Sequence, residues 1–188
     1  MDELKNLGID LSDNIIQQLS DNSLIKQVPI FKMATTLVNT SKNITNSIFA
    51  NKLYLFLFKG LNLSIKDQKQ LLKLRDKELS QKILVVLNSY NDLLKCALLG
   101  RVAKKFLLDE IIKEDFIRIG YILDKAIMTD LQYITDIETD KDFEKDNLPH
   151  GVCESLLVAG ILLDKGAGFD GARFFSLSNS GKILKDLL

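Results

Sequence analysis

The sequence predicts a mainly α protein: a multi-helix bundle ending in a C-terminal helix, β-hairpin, helix element. Three observations predict it. Apolar residues recur at three- and four-residue spacing over most of the chain between Ile30 and Ile134, the period of helices with a buried face. Only two prolines are present and no tryptophan, as suits a helical protein with few rigid loops. After Pro149 the pattern changes to short apolar runs around the glycine-rich turn AGFDG. The expected organisation is a helical bundle over 1–137, a polar linker over 138–147, and a tail over 148–188 packed on the bundle.

LSDNIIQQLSDN (11–22) sets Ile15, Ile16 and Leu19 behind Ser12, a natural N-cap, and reads as a short amphipathic helix. Pro29 fits the first turn of the next helix, where its missing N–H costs nothing. Ile30, Ala34, Leu37, Val38, Ile44 and Ile48 then recur at helical spacing, with a break expected near Thr40–Lys42. FANKLYLFLFKG (49–60) extends that stripe through Phe49, Leu53, Phe56 and Leu57. Tyr54, Leu55 and Phe58 fill most of the remaining circumference, so the helix is expected to be buried on several sides and to stop at Gly60. A strand over 53–58 is the alternative, because periodicity alone does not decide so short a run.

Ser64 with Asp67 resembles a capping box before LSIKDQKQLLKLRDK, a helix with a narrow apolar edge. Residues 78–108 read as one long helix through Leu79, Ile83, Leu87, Tyr90, Leu93, Leu94, Leu98 and Val102, with Gly100 marking a close crossing. Residues 114–137 read as a second, through Phe116, Ile119, Leu123, Ile127, Leu131 and Ile134. A connection of about five residues makes these two antiparallel neighbours. ETDKDFEKDN (138–147) is the most polar stretch. Its carboxylates fail the calcium-loop pattern, with Lys141 where glycine is needed and Asn147 where glutamate is needed.

At 188 residues, with 46% hydrophobic and 27% charged residues, the chain has enough apolar side chains to fold rather than stay disordered. Cys96 and Cys153 are far apart and lack a CxxC partner, so they read as buried thiols in a reducing compartment. No secretory pattern opens the chain, and no run reaches the roughly 18–20 apolar residues of a spanning helix. A cytoplasmic protein is expected.

Net charge is zero but unevenly spread. Residues 23–105 hold fifteen Lys/Arg against four Asp/Glu, and residues 106–150 hold five against twelve. Basic and acidic helices in water would account for this. So would a basic surface for phosphates or an acidic partner, or complementary faces between subunits. The candidate basic contact surface is Lys66, Lys69, Lys73, Arg75 and Lys77.

LLVAGILLDKGAGFDGARFFSLSNSGKILKDLL (156–188) resembles the ending of winged-helix domains: a leucine-rich helix closing at a glycine, a β-hairpin, then a Leu-Ser/Thr-x-x-Gly helix. Leu156, Leu157, Gly160, Leu162, Phe175, Leu177, Ser178, Gly181 and Leu184 fill those places. The resemblance implies a fold and, more weakly, nucleic-acid binding, for which Lys165 and Arg173 are the candidate wing contacts. Val152, Cys153, Glu154 and Ser155 stand where a reader helix would offer Arg, Lys, Asn or Gln. The segments LIKQVPIFKMATTLVNTSKNITNSIFANKLYLFL, LLKCALLGRVAKKFL and EDFIRIGYILDKAIMTDLQYI resemble small bacterial helical proteins. In general layout they are similar to the alpha-type abortive-infection proteins of phage defence.

No phosphate-binding loop, dinucleotide fingerprint, zinc-protease or nucleophile-elbow motif is present. The lone His150 lies three residues before Cys153, but no orienting acid completes a dyad. The expected function is therefore a non-enzymatic helical interaction protein in a bacterial antiviral-defence or mobile-element setting. It would bind a protein partner or itself, without cofactor, metal or small-molecule substrate. One alternative is a membrane-active effector placing residues 28–59 on anionic lipid through Lys32, Lys42, Lys52 and Lys59. Another is a nucleic-acid-binding regulator.

Overall fold

The tract Phe49–Gly60 is helical from end to end, which removes the strand alternative. A computed structural model describes residues 28–30, 32, 44–62, 70, 73–169 and 171–188; the helix behind Ser12, the break near Thr40–Lys42 and the Ser64 cap fall outside the described residues. The chain divides into two compact units, Met1–Lys113 and Glu114–Leu188.

In the first unit, α1 (Ile44–Tyr54) runs into a π-helical segment (Leu55–Leu61), followed by α2 (Lys77–Ser89) and α3 (Leu93–Leu107). Leu53, Phe56, Leu57 and Leu61 are buried, and the π-helical segment packs mainly against α3. Two glycines let these backbones touch. A methyl group on Gly60 would stand 2.2 Å from the Ala97 carbonyl oxygen, and one on Gly100 would stand 2.2 Å from the Phe56 carbonyl oxygen. The expected close crossing at Gly100 is therefore present. Gly60, expected as the helix stop, is instead the other half of that crossing. The stop is Asn62, in the left-handed region (φ 33°), with its N–H donating to the Leu57 carbonyl (3.1 Å). Asparagine tolerates that conformation better than most residues because its short polar side chain bonds locally.

The single helix expected over 78–108 is two helices. Asp76 caps α2, its Oδ1 accepting from Glu78 N–H (3.0 Å) and Leu79 N–H (3.2 Å). Tyr90 is extended (ψ 128°), and Asp92 starts α3 by accepting from Leu94 N–H (2.8 Å). The apolar spacing reads straight through this break, yet Leu94, expected in the core, is 64% exposed. α3 buries Cys96, Leu98, Leu99, Val102, Ala103 and Leu107.

In the second unit, α4 (Lys113–Lys125, of which Lys113 belongs to the first unit) buries Phe116, Ile119, Ile122 and Leu123. The helix expected over 114–137 is also interrupted. Ile127 is extended and exposed, and the chain resumes as α5 (Met128–Leu131) and a 3-10 turn (Gln132–Thr135). Leu131 and Ile134 stay buried at the helical spacing, which hides the break from a periodicity reading.

The stretch read as a polar linker carries β1 (Phe143–Glu144) and a 3-10 turn (Lys145–Asn147). Then come α6 (Val152–Ala159), β2 (Leu162–Ala167), β3 (Arg173–Leu177) and α7 (Asn179–Lys185), which is the expected helix, hairpin, helix order. The sheet is antiparallel in the order β1-β3-β2, with Phe143 opposite Phe175 and Leu162 opposite Leu177. Gly160 (φ 86°) ends α6, and the Ile161 N–H returns to the Leu156 carbonyl (2.9 Å), a closure that favours glycine. Ser178 caps α7 through Gly181 N–H (3.0 Å) and donates to the Gly160 carbonyl (2.9 Å). Gly181 has no room for a side chain, since a Cβ would lie 2.4 Å from the Ile161 carbonyl oxygen. The Ser-x-x-Gly spacing thus ties the end of one helix to the start of the next.

Candidate functional site

Two lysines of the first unit, Lys52 and Lys73, serve helix ends. Helix C-termini carry partial negative charge on unpaired carbonyls, and cations satisfy them. Lys52 Nζ donates to the Asn88 carbonyl (2.8 Å) at the end of α2. Buried Lys95 lies beside the same end, 3.4 Å from Asn91 Oδ1 and 6.0 Å from the Tyr90 ring centroid. Lys73 Nζ donates to the Leu107 carbonyl (2.8 Å) at the end of α3 and pairs with Asp109 (2.6 Å). These placements join residues 34 and 36 apart in sequence, so no local pattern reveals them.

Of the candidate basic surface, Lys73 is therefore structural, whereas Arg75 and Lys77 stand exposed at the start of α2. Lys66 and Lys69 lie outside the described residues. Asp76, between Arg75 and Lys77, also pairs with Lys113 (2.5 Å). The Lys113 ammonium and the Leu79 N–H hold the Asp76 carboxyl below its ordinary range.

Of the two candidate hairpin contacts, Arg173 is paired with Asp164 across the strands, and Asp164 Oδ1 also accepts from Gly166 N–H (2.9 Å). Lys165 is exposed at the irregularity between Asp164 and Gly166, where two steps on β2 face one on β3. At the start of α6, Val152 and Cys153 are buried, and Glu154 is paired with Lys145. That surface offers a carboxylate rather than donors for base edges. At the hairpin tip Phe169 is fully exposed.

Neither cysteine is an activated nucleophile. Burial, ahead of the neighbouring charges, pushes the Cys96 thiol up to about 11. Burial and then the Glu154 carboxylate raise Cys153, while His150 is exposed. The residues named for lipid contact divide likewise. Lys52 is buried on Asn88, Lys32 and Lys59 are exposed, and Lys42 is outside the described residues. Moving the tract to a bilayer would expose Leu53, Phe56 and Leu57 and open the Gly60–Gly100 crossing. No helix among the described residues is long and apolar enough to cross a membrane.

The outer face of the small sheet escaped the sequence reading, because β1 is a two-residue strand inside a polar run. Register places Glu144 directly opposite Phe174, and Phe174 opposite Gly166; Leu163 stands opposite Ser176. These positions alternate with the buried set Phe143, Phe175, Leu162 and Leu177, of which Phe143 is only half-buried. Glu144 and Leu163 are exposed, Phe174 is half-buried, and a Cβ on Gly166 would meet nothing within 4 Å.

No protein-family model, curated protein or solved structure matches the chain.

Proposed function

We propose that the protein is a non-enzymatic helical interaction protein that associates with copies of itself through oppositely charged parts. The observation that carries this reading is the partition of formal charge. Residues 1–113 hold 17 Lys/Arg and 11 Asp/Glu, a net +6, and residues 114–188 hold 8 and 14, a net −6. Each unit thus carries the sign that attracts the other unit of a second molecule, and such fields steer encounter and select partners. The acidic run supports it, since Asp136, Glu138, Asp140, Asp142, Glu144 and Asp146 are all exposed. The antiviral-defence or mobile-element setting rests on the sequence resemblance alone.

Size-exclusion chromatography with light scattering tests the reading. A mass above the 21.2 kDa monomer at low salt, falling towards it at high salt, is the expected result. A monomer at every salt concentration contradicts it.

A further inference from the structure

We propose that the outer face of the small sheet, built from Glu144, Phe174 and Gly166, is where a second copy docks, and that it receives Lys77 from the start of that copy's α2. The inference rests on the self-association reading and gives it an address.

The chemistry of the face selects the ligand. Phe174, half-buried, offers part of an aromatic surface, and Gly166 opposite it has no side chain and open space around it. On the other side stands Glu144, an exposed carboxylate on the same face. A ring next to a carboxylate suits a long cationic side chain, whose methylenes lie on the ring while its head meets the carboxylate. Glu144 is held in place by a capping box: Asn147 Oδ1 accepts from its N–H (3.0 Å), and its carboxylate faces the Asn147 N–H. A carboxylate has about four acceptor positions, so this bond leaves capacity for a cation.

The charges on the β1 side of the face are mostly acidic and disfavour an acidic partner, although Asp140 is paired with Lys182 and Lys165 is exposed beside Gly166 on the β2 side. The segment leading into and out of β1, residues 136–146, has six exposed Asp/Glu against Lys141 and Lys145. Those two lysines pair with Glu138 and Glu154.

A second copy supplies the complement. Lys77 is exposed at the first position of α2. Lys77 occupies a first-turn position, where the helix dipole disfavours a cation, so its place there does not serve the helix. Val85, eight residues on in the same helix, is 67% exposed.

Charge swapping tests the contact. Lys77→Glu and Glu144→Lys are made singly and together in the full chain, with Glu144→Gln as the variant that keeps the capping bond. Sedimentation equilibrium at low salt reads the dissociation constant, and circular dichroism confirms that each variant folds. Each single reversal is expected to weaken association about tenfold, with Glu144→Gln weakening it less. The double reversal, which restores opposite charges across the contact, is expected to recover most of the loss. Wild-type association with the single reversals unchanged, or with no recovery in the double, overturns this docking site and leaves the self-association reading standing. A wild-type chain that stays monomeric overturns both.

Discussion

Gly60 and Gly100 meet backbone to backbone: a methyl group on either would lie 2.7 Å from the other's Cα. No rotamer relieves such a clash, because the obstructing atoms are main chain. Gly60→Ala and Gly100→Ala are each expected to destabilise the protein by about 2 kcal/mol or more, read as a lower urea midpoint. Gly166→Ala is the control. There φ is +93° and the space is open, so the cost is conformational only and about 1 kcal/mol. Equal effects at Gly100 and Gly166 would show that the crossing is not tight.

Ser178 is expected to matter more than a surface serine. Its hydroxyl caps α7 and also bonds the last carbonyl of the α6 turn. Ser178→Ala should cost about 1–2 kcal/mol, and Ser178→Thr less, in thermal or urea melts. Indifference to the alanine would remove the link between the two helices.

Several of these features are legible in sequence and several are not, for physical reasons. Ser178, Gly160 and Gly181 are local signals at fixed spacing, and the tail was readable from them. Gly100 could be read as a crossing because no helix end lies near it. Gly60 could not, since a glycine after an apolar run reads equally well as a helix stop. The breaks at Tyr90–Asp92 and at Ile127 keep the apolar spacing of a continuous helix. Asn91 and Asp92, both cap-forming residues, were the available hint. β1 is too short to show alternation, and with it the Glu144–Phe174 face was invisible. Lys52 and Lys73 read in sequence as contact cations, one for lipid and one for a basic surface, because their carbonyl partners are remote in sequence.

The thiols give a pH prediction. Cys96 ionises at about 11 in the folded chain against an ordinary 9.0. The unfolded chain loses that proton first, so stability is complete below pH 9 and declines between about 9 and 11. Cys96→Ser or Cys96→Ala should flatten that decline in melts taken across the range. A thiol reagent at pH 8 should label neither Cys96 nor Cys153 until denaturant is added. Rapid labelling of either in the native protein would contradict their burial.

Asp76 gives the acid counterpart. Its carboxyl is lowered from 3.8, first by the Lys113 ammonium and then by the Leu79 N–H. The stabilisation is present above that value and is lost as pH falls through the lower folded one. Asp76→Asn keeps a capping oxygen and removes the charge, so its melting curve should depend less on pH below 4 than the wild type. Identical acid limbs would mean that the pair with Lys113 contributes nothing.

The opposite charges of the two units are tested most directly by measuring how the dissociation constant of the unaltered chain depends on salt. Sedimentation equilibrium from about 20 mM to about 500 mM salt covers Debye lengths from about 20 Å to about 4 Å. A dissociation constant that rises steadily with salt is the expected result. A monomer throughout, or an association whose strength does not change with salt, would contradict it.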